Sequence, residues 1–279
     1  MRVASGLVLA LQHHRQQIVA RQCGGLGVDW EYGEPIVGIA PPEVASVSDA
    51  TAAIEVLEQF VSRERLEIIE RVVDQRTSLA RVAYERPSNP MNVWACLRTI
   101  DAFGIQHVDV VRDTAEAAGK RAAARGHAGT LFSMRREGMA AAMGTQKWLS
   151  LQMHDDSRAM CEASRARGYQ VVATDLRGTI ELPDWRPRGK VAVVFGNEEI
   201  GISEDLRAHA DLTLRVPMRG FADSLNLSVS TAVILAHLSA IGHLKPDLDA
   251  REKNYLKLAW LCQSVKAARP ILRRHDLLI

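Results

Sequence analysis

From about residue 79 onward the chain alternates short apolar or β-branched segments with segments long enough to be helices, and that alternation constrains its fold more than any other feature. Leu79 to Tyr84, His107 to Val111, Leu149 to Met153, Tyr169 to Thr174, Val191 to Phe195 and Leu212 to Val216 read as strands. Asn92 to Phe103, Asp156 to Arg167, Glu204 to His209 and Leu225 to Ile241 read as helices. Strands separated by helix-length crossovers imply an α/β fold with a mostly parallel sheet covered by helices on both faces. In such a sheet the ligand site is expected at the carboxyl ends of the strands.

The flanks differ in character. Residues 1–49, rich in Gly and Pro and without periodicity, predict an irregular extension, and residues 50–78 predict one or two amphipathic helices. The α/β domain is expected over 79–245, followed at 246–279 by a basic helix that ends near Pro270, before Arg273, Arg274 and His275. With 279 residues, 47% of them hydrophobic, the chain can bury a full core. Its 35 Lys and Arg nearly balance 33 acids, so net charge says little about partners and local clusters must carry that argument. Cys23, Cys96, Cys161 and Cys262 are scattered, which suggests neither a disulfide framework nor a metal site and fits a reducing cytoplasm. The apolar run from Gly6 to Leu11 is too short for a persuasive signal peptide, and no stretch has the roughly 20 apolar residues of a membrane span.

Three segments carry chemistry. In the first, Asn89 to Arg98, an Asn follows Pro90 at a helix start and Arg98 comes six residues after Asn92. Alone, this reads as an Asn cap and a solvated Arg. In the second, Val193 to Ser203, an apolar strand enters a loop bounded by Gly196 and Gly201 and then a helix capped by Ser203. The spacing is neither a dinucleotide fingerprint nor a phosphate loop, and Glu198 is placed to hold a neighbouring loop through backbone N–H groups or to meet a ligand hydroxyl. The third, Val216 to Ser230, crowds hydroxyls and amides at the head of an apolar helix, where the bland reading is a cap by Asp223 or Ser224.

Together and in this order, the three segments resemble the motifs of the SPOUT RNA 2'-O-ribose methyltransferases, and most closely those of the TrmH (SpoU) family. Asn92 and Arg98 match the first motif; Gly196, Glu198, Gly201 and Ser203 the second; Pro217, Met218, Ser224, Leu225, Asn226, Ser228 and Val229 the third. The likeness runs from about Ser62 to Gly242, and includes Arg65 to Arg76 and Gln146-Lys147-Trp148. Met91 and Asp223 stand where the family usually has His and Gln.

The resemblance implies a SPOUT-type sheet with a deep trefoil knot in its C-terminal half, a homodimer, and S-adenosyl-L-methionine as methyl donor, with no metal and no membrane. It implies donor contacts at Thr174, Gly196, Val216 and Leu225. Arg98 would be the central catalytic group, with Asn92 and Asn226 orienting it and the ribose, Ser224 hydrogen-bonding within that network, and Glu198 bracing the second-motif loop. An Arg of pKa roughly 13 is a poor base, so stabilisation of the developing oxyanion is its minimal role. The substrate implied is RNA: first a guanosine of the tRNA D-loop, second ribosomal RNA, with a catalytically inactive RNA-binding relative as a further alternative. Phosphate contacts are expected from Arg63, Arg65, Arg71, Arg76, Arg81 and Arg86, from Lys120, Arg121, Arg125, Arg135, Arg136 and Lys147, and from Arg273 and Arg274.

Overall fold

The computed structural model describes residues 44, 46–88, 90–111 and 144–278. Seven strands form one sheet: β1 (Thr77–Glu85), β2 (Ile105–Val111), β3 (Ser150–His154), β4 (Gln170–Thr174), β5 (Ile180–Glu181), β6 (Val191–Phe195) and β7 (Leu212–Arg215). Their order is β3-β2-β1-β6-β4-β7-β5 and every pairing is parallel. The six expected strands are present with ends shifted by a residue or two. Strand β5 was not expected, since two residues are too few to show a period.

Alternation along the strands sends side chains to opposite faces, and each face has its own helices. Ala80, Val82 and Tyr84 of β1 and Val191, Val193 and Phe195 of β6 pack with Trp94, Leu97 and Ile100 of α3 (Pro90–Ala102) and with Ile234, Leu235 and Leu238 of α6 (Leu227–Ala240). Ala83, Val171, Ala173 and Val194 face the other way, onto Met160 and Cys161 of α4 (Ser157–Ala166) and Leu206 of α5 (Glu204–His209).

The two ends of the chain share a second core. Helices α1 (Ala50–Glu58) and α2 (Arg63–Asp74), capped by Asp49 and Ser62, pack against α7 (Ala250–Ser264) and α8 (Ala268–Arg274). Leu57, Leu258 and Leu261 are wholly buried there. The C-terminal segment is therefore two helices, not the single one expected. Helix α7 stops at Ser264 because Val265 turns extended, and Pro270 sits in the first turn of α8, where its missing N–H costs no helical bond. Asp247 fastens this helical unit to the amino end of β1, accepting from Thr77 Oγ1 at 3.1 Å, Ser78 N at 2.5 Å and Ser78 Oγ at 2.8 Å.

Two Arg residues expected to meet phosphate are instead inside. Arg76 is buried, with its guanidinium 5.2 Å from the Trp260 ring and paired to Asp101. Arg81 is buried too, and donates through Nε to Asp109 at 2.7 Å, while His154 bonds the other Asp109 oxygen at 2.8 Å. Burial raises the Asp109 pKa on its own, but Arg81 and His154 outweigh it and hold the carboxyl far below the usual range. A sequence pattern reports basic residues without their neighbours, so these two structural cations looked like surface ones. Lys120, Arg121, Arg125, Arg135 and Arg136 lie outside the described residues.

Candidate active site

Strands β1, β6, β4 and β7 are consecutive in the sheet, so the segments that follow their carboxyl ends form one row. Those segments contain Ser88, then Gly196 to Ser203, then Asp175 to Gly178, then Val216 to Asn226. Four separate parts of the sequence thus line up where a parallel α/β sheet places its ligand.

Glu198 joins two of them. Its Oε2 accepts from Ser88 N at 2.8 Å and Ser88 Oγ at 2.9 Å, and its Oε1 accepts from Asn92 Nδ2 at 3.0 Å. Burial pushes its pKa up, but the Asn92 amide and the Ser88 donors more than compensate, holding the carboxyl below its ordinary value. Asn92 is therefore not a helix cap. Its amide is spent on Glu198, so the bland reading of that residue fails.

Asn197, which the sequence reading passed over, shapes the loop itself. Its Oδ1 accepts from Glu199 N at 2.9 Å and Ile200 N at 3.2 Å, and its Nδ2 donates to the Arg86 carbonyl at 2.6 Å. The chain then closes through Asn197 N to Gly201 O at 3.0 Å, with Gly201 at φ 71°. A Cβ on Gly196 would lie 2.5 Å from Gly201 C and Ile202 N, so only Gly fits this turn. Arg86 also has a positive φ of 46°, a strained value for a residue with a side chain, beside the site. Glu85 was missed as well; it is buried and accepts from Ser203 N at 2.8 Å, tying β1 to the start of α5. Asx-turn geometry around an Asn flanked by Gly was the one signal for Asn197; a buried Glu ending a strand gives none.

At the third segment, Asn226 caps α6, accepting from Ser228 N at 2.9 Å and Ser228 Oγ at 2.8 Å. Asp223 and Ser224, read as possible caps, are exposed one turn too early in the loop. Helices α3 and α6 run side by side, with Thr231 Oγ1 3.5 Å from Cys96 Sγ. Arg98, two residues past Cys96, is exposed and has no ion-pair partner among the described residues. Hence Asn92 and Glu198 are in direct contact, whereas Arg98, Ser224 and Asn226 are exposed, and no hydrogen bond or ion pair joins the three among the described residues. The four expected donor contacts lie in the segments around the strand ends and the head of α6. Thr174, Gly196 and Val216 stand at the end of β4 and one residue beyond β6 and β7, and Leu225 stands just before the cap of α6; all four are half-buried. The Thr174 hydroxyl is used on the Val194 carbonyl at 3.2 Å.

The family model described as "SpoU rRNA Methylase family" matches residues 133–236, which include the second and third segments. A tRNA (guanosine(18)-2'-O)-methyltransferase of Thermus thermophilus is 32% identical over 212 residues, covering 71% of this chain and 98% of that protein. The chain belongs to the SpoU methylase family. A Borreliella burgdorferi protein of the same name is 28% identical over 225 residues, covering 78% of this chain and 94% of that one. The crystal structure of the A. aeolicus TrmH/SpoU tRNA modifying enzyme is similar with a TM-score of 0.59 and 25% identity, over 75% of this chain and 98% of that one. In this SpoU-family chain the described residues contain no cluster of His, Cys, Asp and Glu able to hold a metal ion and no helix long and apolar enough to cross a membrane.

Proposed function

We propose that this SpoU-family protein transfers the methyl group of S-adenosyl-L-methionine to a ribose 2'-hydroxyl of RNA, with a guanosine of the tRNA D-loop as its target. The observation that carries this reading is the clamp of Glu198 on Ser88 and Asn92, which draws the first and second motifs into one wall at the carboxyl ends of the sheet. The two tRNA guanosine-methylating relatives favour tRNA over ribosomal RNA.

The donor site fits a nucleoside. Thr174, Gly196, Val216 and Leu225 offer main-chain groups and small apolar surface, without a side-chain charge that an adenosine would have to desolvate. When bound, the donor supplies an electrophilic methyl group, and the chain must do the rest by positioning and electrostatics. Arg98, exposed on α3, is the group that meets the developing 2'-oxyanion. Asn226, whose Oδ1 is fixed by Ser228, and Ser224 orient the ribose, while Glu198 and Asn92 hold the wall rigid.

The same reading includes a deep trefoil knot through about Val193 to Leu235, a homodimer that completes each site with the partner's polar groups, and action in the cytoplasm. It divides the chain at 1–49, 50–78, 79–245 and 246–279, with the terminal helices serving as an RNA-docking unit. Arg65 and Lys147 support that role: both are exposed and lie 5.8 Å and 4.6 Å from the same Trp148 ring, with no carboxylate partner among the described residues. Two unneutralised cations on one aromatic ring suit an RNA phosphate. Incubation with methyl-labelled donor and separate tRNA and ribosomal RNA pools tests the assignment. Label in tRNA is expected; label confined to ribosomal RNA would move the target, and label in neither would defeat the reading.

A further inference from the structure

Asp175, the residue after β4, is a junction of three bonds. Its N–H donates to Leu214 O on β7 at 2.9 Å; its Oδ1 accepts from Arg177 N at 3.0 Å; its Oδ2 is ion-paired with Arg207 of α5. The side chain is only 8% exposed, so the charge depends on that pair. The turn it shapes is tight. Gly178 N donates to Asp175 O at 3.0 Å, and a Cβ on Gly178 would lie 2.6 Å from Leu214 C. Arg207 in turn belongs to a helix whose start is fixed by the Ser203 cap and by Glu85. The pair therefore carries the position of the second-motif helix to the turn that follows Thr174.

We propose that Arg207 is a positioning residue for the methyl donor: its ion pair with Asp175 fixes the β4 turn against β7, and so holds the wall on which the donor's nucleoside rests. This rests on the methyltransferase reading above. Arg207 touches no reacting atom, so its removal acts on donor affinity and not on the oxyanion. Without the guanidinium the buried carboxylate is uncompensated, and the turn relaxes to solvate it.

The test is isothermal titration of the folded protein with S-adenosyl-L-methionine, together with steady-state kinetics on tRNA. Arg207→Ala is expected to weaken donor binding roughly tenfold and raise the donor KM in step, with kcat and the tRNA KM nearly unchanged. Arg207→Lys restores most of the affinity, because a point charge still reaches the carboxylate. Asp175→Asn reproduces the loss, and the double variant is no worse than either single one. Arg158→Ala, which breaks only the surface pair with Glu162, serves as the unaffected control. Unchanged donor affinity in folded Arg207→Ala, or equal losses for donor and tRNA, overturns the proposal. A parent protein that binds no donor defeats the methyltransferase reading itself; a parent that binds donor and variants that bind it equally defeat only the role of Arg207.

Discussion

The proposed function gives Arg98 and Glu198 different roles, one acting on charge and the other on the shape of the wall. Arg98→Ala should abolish methyl transfer while leaving donor affinity within about twofold, because the guanidinium acts only on charge that develops at the 2'-oxygen; titration and single-turnover assays read the two effects separately. Glu198→Gln should impair both. It keeps the shape, but one of its two positions becomes a donor facing either Asn92 Nδ2 or the Ser88 N–H, and an unpaired half-buried group costs about 1–3 kcal/mol. His107 gives a pH signature. Burial and then the Arg81 charge lower its pKa from 6.5 to about 3. Between those values the unfolded chain binds a proton that the folded protein does not, so stability rises with pH across the window and falls as pH drops below 6.5, by at most about 1.4 kcal/mol per pH unit. Urea melts of His107→Phe against the parent between pH 7 and pH 4 should show a flatter profile for the variant; identical slopes would remove His107 from the account.

At the scale of elements, β1, β2 and β3 are held by a charge network as well as by their ladders, since Arg81, Asp109 and His154 come one from each strand. Arg81→Met should cost about 3–5 kcal/mol by leaving Asp109 buried with a weakened partner set, and the further change Asp109→Leu should recover much of it. A double variant less stable than Arg81→Met alone would contradict that. Strand and helix positions were legible because their periods differ, and the three chemical segments were legible because Gly, Asn and Ser recur at turns and helix heads. The Arg81 network was not, because the residues lie 28 and 45 positions apart and their contact exists only once β1, β2 and β3 pair. The cap on α6 was misread for a related reason. Asp223, Ser224 and Asn226 are all good capping residues, and only the path of the loop decides among them.

Across the whole molecule, the row of segments proposed to be the active site lies at the carboxyl ends of the strands, and the helical unit sits at the amino end of β1, nine residues or about 30 Å away. An RNA that engages both must extend over that distance, which a single nucleotide cannot do. Removing Arg273 and Arg274 should therefore weaken tRNA binding and lower the salt slope by up to about 1.8, without altering donor affinity. The sequence marked both ends as helical, yet it placed them in separate regions, because nothing in either segment says that Leu57 and Leu261 will share one core. The most direct test of the central claim is alkaline hydrolysis of tRNA methylated with labelled donor. A methyl group on the 2'-oxygen blocks cleavage at that nucleotide, so the account predicts label in an alkali-resistant dinucleotide containing guanosine; label released as a mononucleotide would place the methyl group on a base and contradict it.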